Sequence, residues 1–369
     1  MKKIGILLLS DQTIPNLQFI KAMDRQLDGY LFITTKEMEK KGIKQHLLCA
    51  AGLDESRVLS NTLSSPHDFS SILSEIDASL SPDVEYHLNV TGGTKMMAIA
   101  AYDVLKSKES HIYYITYDRE LMKIFPETSR IPLNFTVKLH EYLQAYGHEL
   151  KFDEKPPIPS ALVGDFFDFF LENGMPDCLS VFFKVRKKKR KKSKKIELTP
   201  EMSACLSKIT DFFDDKSEIS SSELRAITGE WLEQWVYSKV KEELHLQDDQ
   251  ITKGLIVKRS VPNELDVVFV YKDQLYVIEC KSSLFTVFTD KNKESEKTRG
   301  QNLITPTIYK SDSLQSEFGL YPRTFILTMD NLEAFSDTAK QRARNKRIKL
   351  IGRENLKEVR AGKPLSSFF

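Results

Sequence analysis

Two rhythms of apolar and polar positions run along this chain. In residues 1–145, short continuous apolar runs alternate with stretches whose apolar residues recur at helical spacing. Residues 4–9, 30–33, 86–90 and 112–116 read as buried parallel strands, with a short one at Val58-Leu59. Residues 16–27, 36–49, 69–80 and 96–106 read as the intervening helices, the third introduced by Ser64-Ser65-Pro66-His67-Asp68. Such alternation predicts a Rossmann-like α/β domain, a parallel sheet with helices on both faces.

Past residue 150 the rhythm changes. Asp153-Glu154-Lys155-Pro156-Pro157-Ile158-Pro159-Ser160 is a proline-stiffened break. Residues 161–173 form an amphipathic helix whose Phe166, Phe167, Phe169 and Phe170 belong to a core. Apolar residues 181–185 and 196–198 flank the basic run 186–195 and predict a hairpin or wing with a charged tip. After a helix N-cap signal at Ser220-Ser221-Ser222-Glu223, residues 224–244 carry mostly helical spacing. Strand-like segments follow at 264–270, 275–281 and 324–327, with a basic helix at 334–347. At 369 residues the chain suits two domains and a connector, divided as 1–150, 151–216 and 217–369.

Lysine plus arginine number 54 against 52 aspartate plus glutamate, a net charge of +2, so no global basic field attracts nucleic acid and any such surface is local. The 186–195 run is the one dense positive patch; it either draws phosphate in a salt-dependent way or is a solvated loop without a specific partner. Cys49, Cys178, Cys205 and Cys280 are far apart with no Cys-x-x-Cys pair, which argues against a zinc site or a disulfide scaffold and favours a reducing cytoplasm. The apolar stretch 4–9 is too short for a signal segment or a membrane span.

Candidate chemistry lies at strand ends. In the first domain the strands run into Ser10-Asp11-Gln12-Thr13-Ile14-Pro15-Asn16, Thr34-Thr35-Lys36 and Thr91-Gly92-Gly93-Thr94-Lys95, three polar loops converging on one crevice. Gly92-Gly93 permits close backbone approach, the helix near Met96 offers free NH groups, and Lys95 adds a point charge, although the turn lacks the spacing of a Walker loop. Asn16 also reads as a simple helix cap, and Lys36 as a solvated helix residue. In the last domain Asp266 and Glu279 adjoin strongly apolar strands. Strand alternation puts Glu279 and Lys281 on one face and Cys280 on the other. Paired carboxylates with a lysine suit a hard divalent ion that polarises a phosphate and activates water, with Lys281 orienting that water or neutralising the charge that develops.

These residues resemble a known family. The strings at 10–20, 34–38 and Asn89-Val90-Thr91-Gly92-Gly93-Thr94-Lys95 resemble the CARF domain that senses cyclic oligoadenylates in type III CRISPR defence. Glu264-Leu265-Asp266 with Ile278-Glu279-Cys280-Lys281 resembles the PD-(D/E)xK nuclease domain fused to it in the CRISPR ancillary nucleases of the Card/Can type. The resemblance covers about residues 1–147 and 220–360 and implies a restriction-endonuclease-like α/β second domain.

It further implies a homodimer that binds one cyclic tetra-adenylate through Ser10, Gln12, Thr13, Asn16, Thr35, Lys36, Thr91, Gly92, Gly93, Thr94 and Lys95 of each subunit. A two-fold ring and a two-fold dimer match in symmetry. Binding would activate a Mn2+- or Mg2+-dependent endonuclease acting on single-stranded DNA and RNA. Asp266, Glu279, the Cys280 carbonyl and a first-helix glutamate would hold the metal: Glu230, with Glu233 as its rival. Glu264 would be an outer ligand or a hydrogen-bond partner, and its strand departs from the strict Pro-Asp pair because Pro262 stands earlier and Leu265 precedes the aspartate. Lys297, Arg299 and Gln301 would reach substrate phosphates, and Lys310 would supply a second cation. Two other classes stay open: a ligand-gated nucleic-acid-binding regulator, and an ungated restriction or repair nuclease.

Overall fold

The computed structural model describes residues 1–152, 158–188, 195–259, 261–285, 303–319 and 322–369. Lys297, Arg299, Gln301, the centre of the basic run and most of the proline-rich break lie outside the described residues. Among the described residues the strands form sheets of seven, six and two strands.

The first 145 residues build β1 (Lys2–Leu8), α1 (Ile14–Met23), β2 (Gly29–Thr35), α2 (Lys36–Lys40), α3 (Ile43–Ala51), β3 (Val58–Leu63), α4 (Phe69–Ala78), β4 (Val84–Asn89), α5 (Lys95–Leu105), β5 (Ser110–Ile115), β6 (Glu120–Phe125), β7 (Ser129–Pro132) and α6 (Leu139–Ala145). The sheet order is β3-β2-β1-β4-β5-β6-β7, with β1 to β5 parallel and β6 and β7 antiparallel. The order reverses direction between β1 and β4, which opens a crevice beyond their carboxyl ends. The single helix expected over 36–49 is two, because Gly42 takes a φ of 71° between them.

Next come β8 (Glu149–Phe152), α7 (Ser160–Asn173), α8 (Ser180–Lys188), β9 (Lys195–Glu197), α9 (Pro200–Leu206), β10 (Glu218–Ser220) and α10 (Ser221–Arg225). A π-helical turn, Ala226–Glu230, then leads into α11 (Trp231–Glu243). The hairpin expected around the basic run does not form: α8 replaces its first strand, and β9 pairs with β10 instead. Val181, Phe182 and Val185 follow helical spacing, and Phe182 is fully buried, so packing selects the helix. The expectation against disulfides is overturned at one pair, Cys178–Cys205, whose helical segments meet although 27 residues separate them in sequence. Spacing along the chain says nothing of that proximity. Phe166 and Phe170 pack on Trp231 with ring centroids at 6.1 and 5.0 Å, and each fully buried aromatic contributes about 2–3 kcal/mol.

The last third supplies β11 (Ile251–Lys258), β12 (Pro262–Tyr271), β13 (Gln274–Lys281), α12 (Ile304–Gln315), β14 (Arg323–Thr328), α13 (Asp337–Asn345), β15 (Ile348–Ile351) and α14 (Arg353–Arg360). Sheet order is β15-β14-β13-β12-β11-β8, antiparallel from β13 to β8 and parallel from β13 to β15. One face packs on Trp231, Val236 and Phe166; the other meets Leu139, Leu143 and Tyr146 of the first domain. The sheet therefore shares a core with the crevice-bearing domain. No helix among the described residues is long and apolar enough to cross a membrane.

Candidate active site and effector crevice

Residues 267–270 of β12 alternate between two apolar cores, and the charged residues lie just past the end of the β12–β13 ladder. Asp266 is 8% and Glu279 4% exposed. They sit one step beyond Val267 and Ile278, which pair in the ladder. Lys281 bridges them, its Nζ 2.9 Å from Asp266 Oδ2 and 2.8 Å from Glu279 Oε1. Lys310 of α12 donates to both Glu279 oxygens at 2.9 and 3.2 Å. The Cys280 NH donates to Asp266 Oδ2 at 2.8 Å, and its carbonyl accepts from Lys281 at 3.2 Å. The Cys280 side chain lies in the core behind, as alternation requires, and burial pushes its thiol well above the ordinary range.

Charge and burial compete here. Burial, aided by Glu279, raises the Asp266 carboxyl against the pull of Lys281. Burial pushes Glu279 the same way, but Lys281 and Lys310 outweigh it and its pKa falls. Burial opposes the charge on Lys281, yet Asp266 and Glu279 hold it protonated. Glu233 on α11 is pushed up to about 8 by burial, then by Asp266 and Glu230.

Glu230 is 7% exposed and takes hydrogen bonds from Arg225 Nε at 3.0 Å and Arg186 Nη2 at 3.4 Å. Gly229, at φ 132°, breaks the helix just before it. Glu230 is thus tied to two arginines, and Glu233 is the helix carboxylate coupled most strongly to Asp266. Glu264 is exposed on β12 and adds to the same field.

Oxygen donors from Asp266, Glu279, Glu233 and the Cys280 carbonyl are the kind that Mg2+ or Mn2+ takes. The donor chemistry fits such an ion. The Lys281 ammonium already lies between the two carboxylates and offsets their repulsion. Among the described residues no group of three or more His, Cys, Asp or Glu side chains is arranged to hold an ion.

At the switch point, the buried amides lace the strand ends together. Asn16 donates to the Leu8 carbonyl at 2.9 Å and accepts from Asn89 Nδ2 at 2.9 Å. Thr91 accepts from the Ile115 NH at 2.7 Å, Thr35 caps α2 through the Met38 NH, and Thr94 caps α5 through the Met97 NH. A Cβ on Gly92 would lie 2.4 Å from the Leu8 carbonyl oxygen, and one on Gly93, at φ 73°, would lie 2.7 Å from Leu8 Cβ. Both glycines are required by packing of the turn on β1. Thr13 is buried, while Lys36 and Lys95 are exposed.

Ser10, Thr35, Lys36 and Thr94 line one cavity of about 410 Å3. Ser64, Pro66 and His67 complete its wall; sequence reasoning saw these only as a helix start. Gln12 points elsewhere, into a cavity of about 740 Å3 between the domains.

A mixed parallel and antiparallel sheet with carboxylates and lysines at its strand ends, joined to a Rossmann-like crevice, defines a sensor domain fused to a nuclease-type domain. Family models for the Card1 CARF domain and the Card1-like endonuclease domain match residues 4–142 and 220–363, and the chain belongs to this Card1 family. A solved structure of Can2 from Sulfobacillus thermosulfidooxidans in complex with cyclic tetra-adenylate is similar over 94% of this chain and 95% of that one, at 23% identity and a TM-score of 0.70. Protein VC1899 from Vibrio cholerae is similar over 97% and 96%, at 20% identity and a TM-score of 0.71. A type III CRISPR defence DNA nuclease activated by cyclic oligoadenylate is similar over 89% of this chain and 46% of that one, at 17% identity and a TM-score of 0.53. No curated protein sequence matches the chain.

Proposed function

We propose that the protein is a cyclic tetra-adenylate-activated, metal-dependent endonuclease of type III CRISPR antiviral defence. It acts in the cytoplasm as a homodimer, cuts single-stranded DNA and RNA with low sequence specificity, and nicks supercoiled duplex. Residues 1–150 sense the effector, 151–216 connect, and 217–369 cut. The observation that carries this reading is the meeting of Asp266, Glu279, Lys281 and Lys310 at the strand ends of an endonuclease domain, in one chain with a polar switch-point crevice.

A divalent ion bound by Asp266, Glu279 and the Cys280 carbonyl would polarise the scissile phosphate and acidify a water. Lys281, held charged between two carboxylates, neutralises negative charge developing on the phosphate. Lys281 and then Lys310 keep Glu279 ionised. Glu233, with a pKa of about 8, exchanges a proton near neutral pH beside them. In the crevice, the Asn16–Asn89 lacing holds the loops while Ser10, Thr35, Lys36, Thr94 and Lys95 contact the effector.

The test incubates purified protein with labelled single-stranded DNA and RNA, with and without cyclic tetra-adenylate and Mn2+ or Mg2+, beside Glu279→Ala. Cleavage that needs both additions and vanishes in the variant is the expected result. Cleavage surviving in the variant removes the assigned centre. The Lys281 bridge favours a second reading, a ligand-gated nucleic-acid-binding regulator, because it closes the space between the carboxylates. Effector-dependent binding of the same probes without cutting would select it.

A further inference from the structure

The turn joining β12 to β13 is Lys272-Asp273, with φ values of 51° and 59°. Two-residue turns of this kind favour glycine at such positions, since a side chain there costs about 1 kcal/mol per residue. Aspartate stands there instead, and its side chain is only 3% exposed. It accepts three hydrogen bonds, each at 2.8 Å, from three separate parts of the first domain: Gln18 Nε2 on α1, Arg119 Nε in the β5–β6 turn, and the Val137 NH before α6. Arg119 also donates to the Phe135 carbonyl, so the node ties the segment before α6 as well.

We infer that Asp273 is the latch through which the effector crevice controls the strand-end site, an inference that rests on the proposed function. Helix α1 begins directly after the loop that carries Ser10, Gln12 and Thr13, so a ligand that shifts that loop moves Gln18. At the other end, Glu279 lies six residues along β13 (273 to 279), about 20 Å away at ~3.3 Å per residue. Between them Val267, Val268, Phe269, Val270 and Ile278 are fully buried, so the hairpin moves as a unit rather than bending. The cavity of about 740 Å3 beside the latch, lined by Gln12, Gln18, Arg119, Tyr146 and Asp273, leaves the two domains room to shift at this point. Sensor loop, helix, latch and catalytic hairpin are thus one continuous connection with a polar joint that can exchange partners.

The test compares wild type with Asp273→Gly, which relaxes the turn while deleting the latch, and with Gln18→Met, which removes only the α1 contact. Each is assayed for melting temperature, affinity for cyclic tetra-adenylate, and cleavage rate without effector and at saturation. The ratio of saturated to effector-free rate should fall about tenfold in Asp273→Gly, equivalent to about 1.4 kcal/mol of coupling, and a few-fold in Gln18→Met. Effector affinity should be unchanged or tighter, because binding no longer works against the latched arrangement. A merely structural role would lower both rates together and leave the ratio intact, and that outcome overturns the latch. If Asp273→Gly does not fold, Gln18→Met decides in the same way. A wild-type enzyme indifferent to the effector overturns the proposed function together with the latch, whereas an activated wild type with equally activated variants overturns the latch alone.

Discussion

The effector crevice and the strand-end site are both clusters of polar side chains beyond strand termini, but they use those side chains in opposite ways. In the crevice Asn16, Asn89, Thr91 and Thr35 satisfy one another or the backbone and fix the loops. In the strand-end site the polar atoms belong to charges set against charges: Asp266, Glu279, Glu233, Lys281 and Lys310. A neutral network with its hydrogen bonds made gives a rigid frame. Buried, competing charges instead shift pKa values and leave a site ready to exchange protons or cations. Crevice variants should therefore act through shape, and strand-end variants through charge.

The largest test of that contrast is Glu279→Gln, which keeps shape and deletes charge. Effector-stimulated cleavage should fall by roughly 10²- to 10³-fold, the scale of losing a preorganised electrostatic group, while circular dichroism stays native. Activity within tenfold of wild type would break the comparison. Next, Lys281→Met leaves Asp266 and Glu279 facing each other without their bridging cation. Discounted for the partial exposure of Lys281, the loss in EDTA should be about 2 kcal/mol. Added Mn2+ should raise the melting temperature of this variant more than that of wild type, and equal rises would argue against the carboxylates as its ligands.

Within the crevice, Asn16→Ala strands the Leu8 carbonyl and Asn89, and should cost about 1–2 kcal/mol of stability with effector binding lost alongside. Lys95→Ala should leave the melting temperature alone and weaken binding only about fivefold, with a shallower salt dependence. A stability loss in Lys95→Ala, or none in Asn16→Ala, would invert the assignment of frame and contact.

A further effect, read as a pH dependence, concerns Glu233. Its folded pKa of about 8, against an ordinary 4.5, means that between those values the folded chain keeps a proton the unfolded chain has released. That contribution to stability is complete below about 4.5 and is lost as pH rises through about 8. In EDTA the melting temperature should decline from about pH 4.5 to 8, and Glu233→Gln should flatten the decline.

Much of the fold was readable because apolar periodicity is a local signal. The strands β1, β2, β4 and β5, and the helices between them, emerge from it, as do β12 and β13 with their terminal charges. The β6–β7 hairpin, β8, β11 and β15 do not, being short, mixed in polarity, or defined only by the strand they pair with. Residues 181–185 satisfy either a strand or a helix by composition, and only Phe182 finding a core decides between them. The Cys178–Cys205 pair and the three donors around Asp273 join segments distant in sequence, so no local pattern announces them.

What the sequence determined by itself was the identity and face of the chemical groups: period two puts Glu279 and Lys281 together, and Gly92-Gly93 marks a turn that permits close backbone approach. Tertiary structure decided which charges meet. It placed Lys281 between Asp266 and Glu279, turned Glu233 toward Asp266 and left Glu230 with two arginines. The physical reason is that burial and pairing energies depend on three-dimensional distance. A π-helical turn of five residues, invisible to a count of helical periods, changes the register in which the helix presents its carboxylates.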